Sequence, residues 1–257
     1  MNNGNLKKIY YCPIKSLSFN ELSLAKIDKN IGIINDRCFA FTRGLNLIQS
    51  NEHKNFPKTR NLNNFLTLRN TPSLKKFNFI FDYKEKFIKL YKDNKLILNT
   101  NMLNKNDIKN IENFITNTDS KIKKPVFLIH NNKIPFFDTA PNISISMINL
   151  NTIKDLEKIL NKDIHFERFR ANLYIENLKP WEEFNFIDKK LLIGNIKFEV
   201  SGKIPRCKIT NINPQNYDLD MNIPRELLNN FGHSDFGVYL KPLNSGIIHN
   251  NDNLTII

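Results

Sequence analysis

FNFIFDYKEKFIKLYKDNKLILN, residues 77–99, sets the architecture. Phe77, Phe79 and Phe81 stand two apart with Asn78, Ile80 and Asp82 between them, which is the side-chain period of a strand with one aromatic face. Phe87 to Tyr91 and Leu96 to Asn99 flank Lys92-Asp93-Asn94-Lys95. Asp and Asn tolerate positive φ, so this stretch predicts a hairpin turn between two strands. Further out, Leu6 to Tyr11 is an apolar-rich run stopped by Pro13, and Cys38 to Thr42 alternates large and small residues. With aromatics at 11% of the chain, including 20 Phe, the first hundred residues predict a small β-sheet or barrel.

Helices are fewer. Ile108, Ile111, Phe114 and Ile115 make one apolar stripe, predicting a helix over about 106–115, with Asp107 placed to suit its dipole. The polar stretch 116–124 reads as a linker, which puts a domain boundary near 118 and divides the chain into 1–117 and 118–257. In the second half, Val126 to Ile129 and Ile143 to Ile145 read as strands, and Leu150, Ile153, Leu156 and Leu160 as a helix. Ile164 to Phe169 and Asn172 to Ile175 read as extended. Gly194-Asn195 separates two strand-like runs as a hairpin signal, and Pro224 and Gly232 bracket a short helix. Phe236 to Leu240 and Leu254 to Ile257 read as closing strands. The expectation is an α+β, mainly β chain with two β-barrel-like domains and a few peripheral helices.

The net charge is 38 − 25 = +13. Its lysines are scattered rather than blocked, so they read as solvated charge in an Asn-, Lys- and Ile-rich composition, not as a nucleic-acid stripe. The three cysteines, Cys12, Cys38 and Cys207, form no CxxC pair. That excludes a zinc ribbon and an iron–sulfur cluster, and the odd number of well-separated cysteines argues against a disulfide framework and favours a reducing cytoplasm. The polar N-terminus and the absence of any membrane-length apolar run lead to an expectation of a soluble, cytoplasmic protein with no membrane partner.

Four segments carry candidate chemistry. In Cys12-Pro13-Ile14-Lys15-Ser16 the proline ends a strand and puts Lys15 and Ser16 at an open strand mouth, where an ammonium and a hydroxyl could hold a phosphate. In Gly32 to Phe39, Asp36-Arg37 is either a structural ion pair or an Arg oriented towards an anion. Arg168-Phe169-Arg170-Ala171-Asn172, read as a strand, puts Arg168, Arg170 and Asn172 on one face as an anion- or pterin-binding surface; an exposed, solvated face is the bland alternative. In Ile204-Pro205-Arg206-Cys207-Lys208 a thiol follows a strand-breaking proline between basic neighbours, which favour thiolate, the nucleophilic and metal-binding form; the alternative is a buried structural cysteine.

Taken in order, these segments resemble the MOSC family, in particular its amidoxime-reducing members and their bacterial counterpart that reduces N-hydroxylated bases. The matching pieces are Pro13 to Ser16, Gly32 to Arg37, Phe137-Asp138-Thr139-Ala140-Pro141, Arg168 to Asn172, Pro180-Trp181-Glu182-Glu183, Arg206-Cys207 and Asp235-Phe236-Gly237-Val238-Tyr239. The chain departs from the pattern at Pro205, where relatives usually carry Ser, and at Asn251-Asp252, where they carry Gly-Asp.

The resemblance implies a MOSC N-terminal β-barrel domain followed by a MOSC domain, and molybdenum cofactor (molybdopterin) as the bound group. It assigns phosphate binding to Lys15, Ser16 and Arg37, and pterin contacts to Thr139, Arg170 and Asn172. Arg206 falls beside the metal ligand, and Cys207 becomes the catalytic residue and molybdenum ligand. The implied activity is reduction of the N–O bond of a small N-hydroxylated substrate, a detoxification. Electrons would come from a separate flavin or iron–sulfur protein, because no ferredoxin domain follows. A second reading makes the chain a sulfur or molybdenum-cofactor carrier with a persulfide on Cys207. An RNA-binding barrel ranks last, since the aromatics alternate as core. No residue argues for pyridoxal phosphate, and none of the five His residues is spaced so as to point to Cys207.

Overall fold

The computed structural model describes residues 4–137 and 144–257. Its strands in chain order are β1 (Gly4–Tyr11), β2 (Asn20–Leu22), β3 (Leu24–Asp28), β4 (Gly32–Ile33), β5 (Phe39–Arg43), β6 (Phe77–Asp82), β7 (Phe87–Lys92), β8 (Lys95–Asn101) and β9 (Val126–His130). The second half adds β10 (Ile145–Asn149), β11 (Leu173–Glu176), β12 (Lys190–Ile193), β13 (Ile196–Pro205), β14 (Asp235–Pro242), β15 (Gly246–His249) and β16 (Asn253–Ile256). The helices are α1 (Leu47–Asn55), α2 (Lys105–Thr116), α3 (Leu150–Leu160) and α4 (Ile223–Phe231), so the chain is α+β and mainly β.

Contacts divide the chain into two units. One comprises Met1–Tyr10, Glu21–Ile34 and Asn142–Ile257; the other comprises Tyr11–Asn20 and Asn35–Pro141. This differs from a single cut near residue 118. Two long-range pairings explain the difference. β1 pairs with β11 and β16, which draws the N-terminal strand into the unit of the second half. β9 pairs with β5 along its whole length, from Phe39 opposite His130 to Arg43 opposite Val126, which carries the other unit past the polar stretch 116–124.

The first unit is built on a closed barrel. Its sheet runs β11-β10-β14-β13-β12-β16-β1, and β1 returns to β11; β2 extends beyond β1. Closure removes the open edges that an isolated sheet would present. Every pairing among the described barrel strands is antiparallel except β10–β11, whose strands are joined by the crossover through α3. Leu6, Ile9, Met147, Leu173, Ile175, Leu191, Phe198, Val200, Val238 and Leu240 are among its buried apolar residues. α3 begins at Asn149, whose side chain accepts from the Asn151 N–H, and ends on left-handed Asn161. α4 opens with Pro224 in its first turn and closes on left-handed Gly232, as the sequence suggested.

The second unit holds its described strands as a two-stranded ladder, β5–β9, and a three-stranded sheet, β6-β7-β8. The aromatic alternation reads through: Phe77, Phe79 and Phe81 are buried while Asn78 is exposed. The turn before β8 has both Asp93 and Asn94 at positive φ, the conformation those residue types were expected to supply. Ile111 and Ile115 of α2 pack into the same core as Phe39, Phe41, Phe79, Ile88 and Leu90.

Candidate functional site

In the second unit, the turn after Pro13 is stitched to the start of β5. Phe39 N–H donates to the Pro13 carbonyl at 3.0 Å, and Lys15 N–H to the Phe39 carbonyl at 2.8 Å. Asp36 is buried; its Oδ1 accepts from the Cys12 N–H at 2.6 Å, and its Oδ2 pairs with Arg37. The Asp-Arg element is therefore a structural pair that also sets the Arg. Arg37 has a left-handed backbone and its guanidinium lies between the rings of Phe19 and Phe137, 5.4 and 5.5 Å from their centroids.

Lys15 does not stand at an open strand mouth. It is 2% exposed, its Nζ donates to the Phe136 carbonyl at 3.1 Å, and it lies 5.4 Å from the Phe65 ring centroid. A buried ammonium must keep hydrogen-bond acceptors, and this carbonyl is one of them. Ser16 is also buried; its backbone is left-handed and its Oγ accepts from the Leu68 N–H at 3.2 Å.

Both cations thus converge on the turn Phe136–Phe137. Phe136 N–H donates in addition to the Arg37 carbonyl at 2.8 Å. Arg60 fixes the preceding residues by donating to the carbonyls of Pro135, at 2.7 Å, and Ile134, at 3.0 Å, and burial lowers its pKa to about 10. Thr139 lies just beyond this turn, outside the described residues.

In the barrel unit, Cys207 follows the last residue pairs of β13. It is the one exposed thiol of the three; Cys12 and Cys38 are buried, and burial raises the Cys38 thiol far above its ordinary range. Cys207 sits in extended backbone as the N-cap of a short 3₁₀ turn, Lys208–Asn211, and its carbonyl accepts from the Thr210 N–H at 3.0 Å and Oγ1 at 2.8 Å. The proline before the Arg-Cys pair closes the strand without removing a needed donor there, since Pro205 is the terminal residue of β13.

Arg206 turns inward. Its Nη1 donates to the Phe169 carbonyl at 2.9 Å, its Nε to the Phe236 carbonyl at 2.8 Å, and Nη2 binds that same Phe236 carbonyl. It clips together two backbones whose rings stack at 4.3 Å and 7°. Burial lowers its pKa to about 10. Gly237, at φ +77°, lets this packing close: a Cβ there would meet the Met147 carbonyl oxygen at 2.5 Å.

The shared strand face expected for Arg168, Arg170 and Asn172 does not form. Phe166–Phe169 is a 3₁₀ turn, Arg170 caps it in a left-handed conformation, and the strand begins only at Leu173. The cause lies in Arg168, which is 2% exposed and points inward, with Nη2 on the Asp220 carboxylate at 2.9 and 3.1 Å and Nη1 on the Thr210 carbonyl at 3.3 Å. Asp220 is a distant acceptor that no local pattern announces. Asn172 is buried too. Its Nδ2 donates to the Tyr10 carbonyl at 3.1 Å and its Oδ1 accepts from the Ser146 Oγ at 2.9 Å, which ties β1 to β10. Arg170 is partly exposed. In this unit the structure therefore gives Asn172 and Arg206 internal partners and leaves Cys207 at the surface. Among the described residues, no group of three or more His, Cys, Asp and Glu could hold a metal ion. A metal at Cys207 would need ligands other than a protein cage.

A mainly β unit with a closed barrel and a single accessible thiol at the end of a strand is the class these features define. Residues 137–255 match the model of the MOSC domain. The Mitochondrial amidoxime reducing component 2 of Rattus norvegicus is 26% identical over 114 residues, 44% of this chain and 32% of that protein. The corresponding Bos taurus protein is 26% identical over 129 residues, 49% of this chain and 37% of that protein. The Molybdenum cofactor sulfurase of Drosophila pseudoobscura pseudoobscura is 33% identical over 67 residues, 26% of this chain and 8% of that protein. The matched stretch thus spans about a third of the length of the amidoxime reducing components. Among solved structures, YiiM from Geobacillus stearothermophilus is similar over 44% of this chain and 53% of its own, with 18% identity and TM-score 0.34. The YUAD protein of Bacillus subtilis is similar over 98% of this chain and 94% of its own, with 11% identity and TM-score 0.47. No helix among the described residues is long and apolar enough to cross a membrane.

Proposed function

We propose that this chain is a molybdenum-cofactor-binding oxidoreductase that reduces N-hydroxylated compounds, with Cys207 as the metal ligand. The observation that carries the proposal is the placement of Cys207: alone of three thiols it is exposed, at the end of a barrel strand within the stretch that matches the MOSC domain. A soft, accessible sulfur suits a metal that brings its remaining ligands with it. Arg206, locked on the Phe169 and Phe236 carbonyls, holds the backbone from which Cys207 projects and acts by positioning. Arg170 is proposed as a pterin contact, with Asn172 supporting it from the core.

In the other unit, Arg37 is proposed to bind the cofactor's phosphate, with its 18% side-chain exposure giving an anion access. Lys15 and Ser16 would support the same phosphate; Lys15, buried at 2%, adds its charge through the Phe136 turn that leads to Thr139. When bound, the cofactor supplies a two-electron centre able to accept oxygen from an N–O bond. The net conversion takes an N-hydroxyl group, two electrons and two protons to the N–H compound and water. The protein's part is ligation, orientation and polarity around that centre, and the electrons come from a separate flavin or iron–sulfur protein.

The test is reduction of benzamidoxime to benzamidine by protein from a cofactor-competent host, with dithionite-reduced methyl viologen as donor. Turnover lost in Cys207→Ser and kept in Lys208→Ala is the expected result. Equal turnover in Cys207→Ser and wild type contradicts the proposal. A second reading, a sulfur or cofactor carrier, draws on the same exposed thiol and on the similarity to the sulfurase. It predicts a sulfane-sulfur adduct on Cys207 in protein that shows no turnover.

A further inference from the structure

β13 and β14 run antiparallel with Pro205 opposite Asp235, and the Arg206 N–H donates to the Ser234 carbonyl at 2.9 Å. The next position on either chain is Cys207 on one and His233 on the other. No sequence spacing linked the two; each lies two residues beyond the last pair of these adjacent strands. The imidazole is tied to the backbone, its Nδ1 accepting from the Asp235 N–H at 3.2 Å.

Three further rings gather on it. Phe231 stacks against His233 with centroids 6.1 Å apart and planes at 25°. Phe184 and Trp181 meet it edge-on at 5.7 and 6.3 Å. Trp181 also packs on Phe231 at 4.4 Å, and its indole N–H is tied to the Asp155 carboxylate at 2.7 Å. All four rings keep partial solvent exposure. They are therefore a pre-ordered aromatic edge rather than a sealed core, and such rings offer faces and edges on which another flat π-system gains offset or edge-on contacts.

We propose that His233, backed by Phe231, Phe184 and Trp181, is the wall that selects planar aromatic substrates at Cys207 over aliphatic ones. The chemistry at Cys207 rests on the reductase reading above; the selectivity rests on the rings. His233 is a specificity-determining residue, and its ring, not its charge, is the operative feature.

Trp181 is the only tryptophan in the chain, so its emission reports directly on this wall. The experiment titrates the full chain with benzamidoxime and, separately, with acetamidoxime. Benzamidoxime is expected to change Trp181 emission saturably, and acetamidoxime to leave it unchanged over the same range. His233→Ala is expected to weaken benzamidoxime about five- to tenfold, as the loss of one stacked pair would. His233→Phe, which restores a ring but no imidazole nitrogen, is expected to recover most of that loss, with circular dichroism unchanged in both variants. Equal responses to the two amidoximes overturn the proposal, as does a His233→Ala variant that binds like wild type, or equal weakening in both variants. The titration needs no metal. Aromatic selectivity in a protein that never takes up molybdenum would sink the reductase reading and leave the wall intact, whereas molybdenum-dependent turnover without selectivity would do the reverse.

Discussion

Substituting Glu183 by Gln should abolish a pH dependence of stability that the wild-type fold carries. Glu183 is fully buried in the 3₁₀ turn after Trp181. Its carboxyl receives the Thr152 hydroxyl at 2.9 Å and the Asn149 amide at 3.3 Å, and no cation pairs with it among the described residues. Burial pushes its pKa from about 4.5 up to about 7, the hydrogen bonds offsetting only part of that. Between these values the folded state holds a proton that the unfolded chain has released. Stability contributed by this group is therefore whole below about pH 4.5 and falls as pH rises towards 7, then levels off. At about 1.4 kcal/mol per pH unit, the interval of about 2.5 amounts to roughly 3–3.5 kcal/mol. Gln mimics the neutral form: its oxygen can accept from Asn149 and its amide can donate to Thr152, whose Oγ1 already accepts the Trp181 N–H at 2.9 Å. Urea unfolding followed by circular dichroism at pH 5 and pH 8 reads the effect, and groups common to both proteins cancel in the difference. The variant should match wild type near pH 5 and exceed it by up to roughly 3–3.5 kcal/mol at pH 8. A constant offset at both pH values, or a variant weaker than wild type at pH 8, would refute the reasoning.

Three further outcomes are expected. Gly237→Ala places a Cβ 2.5 Å from the Met147 carbonyl oxygen at φ +77°, and should lower stability by roughly 3 kcal/mol, seen as a fall in Tm; an unchanged Tm would contradict the close approach. Asp220→Ala strips the buried Arg168 of its partly exposed carboxylate and should cost about 2 kcal/mol in urea unfolding, more than a fully exposed ion pair and less than a fully buried one. In native protein a maleimide should modify Cys207 and leave Cys12 and Cys38 untouched until the chain unfolds, as read by mass spectrometry of wild type and Cys207→Ser; early labelling of Cys38 would overturn the burial described here.

How much of this was legible in the sequence depends on the range of the interaction concerned. Phe77, Phe79 and Phe81, the Asp93-Asn94 turn and the Pro224 and Gly232 bracket are decided by neighbours a few residues away, and periodicity and turn chemistry read them directly. The end of the strand at Pro205 was legible for the same reason, but between an accessible and a buried Cys207 the sequence left both open, and the structure shows it exposed. What escaped was long-range. β1 closes the barrel against β11 and β16, about 170 and 250 residues on, and nothing in Leu6 to Tyr11 names its partners. Arg168 reads as a strand-face cation until Asp220 is placed beside it. Lys15 was assigned to an open mouth, yet the carbonyl of Phe136, far along the chain, takes its ammonium into the interior. His233 carries no motif at all, and only the pairing of Pro205 with Asp235 at the end of β13–β14 relates it to Cys207.

The central claim is that the Cys207 sulfur holds molybdenum. Elemental analysis of protein purified from a cofactor-competent host, wild type beside Cys207→Ala, tests it most directly. The account predicts near-stoichiometric molybdenum in the wild type and almost none in the variant at equal folded content. Equal metal in the two proteins, or none in either, would contradict it.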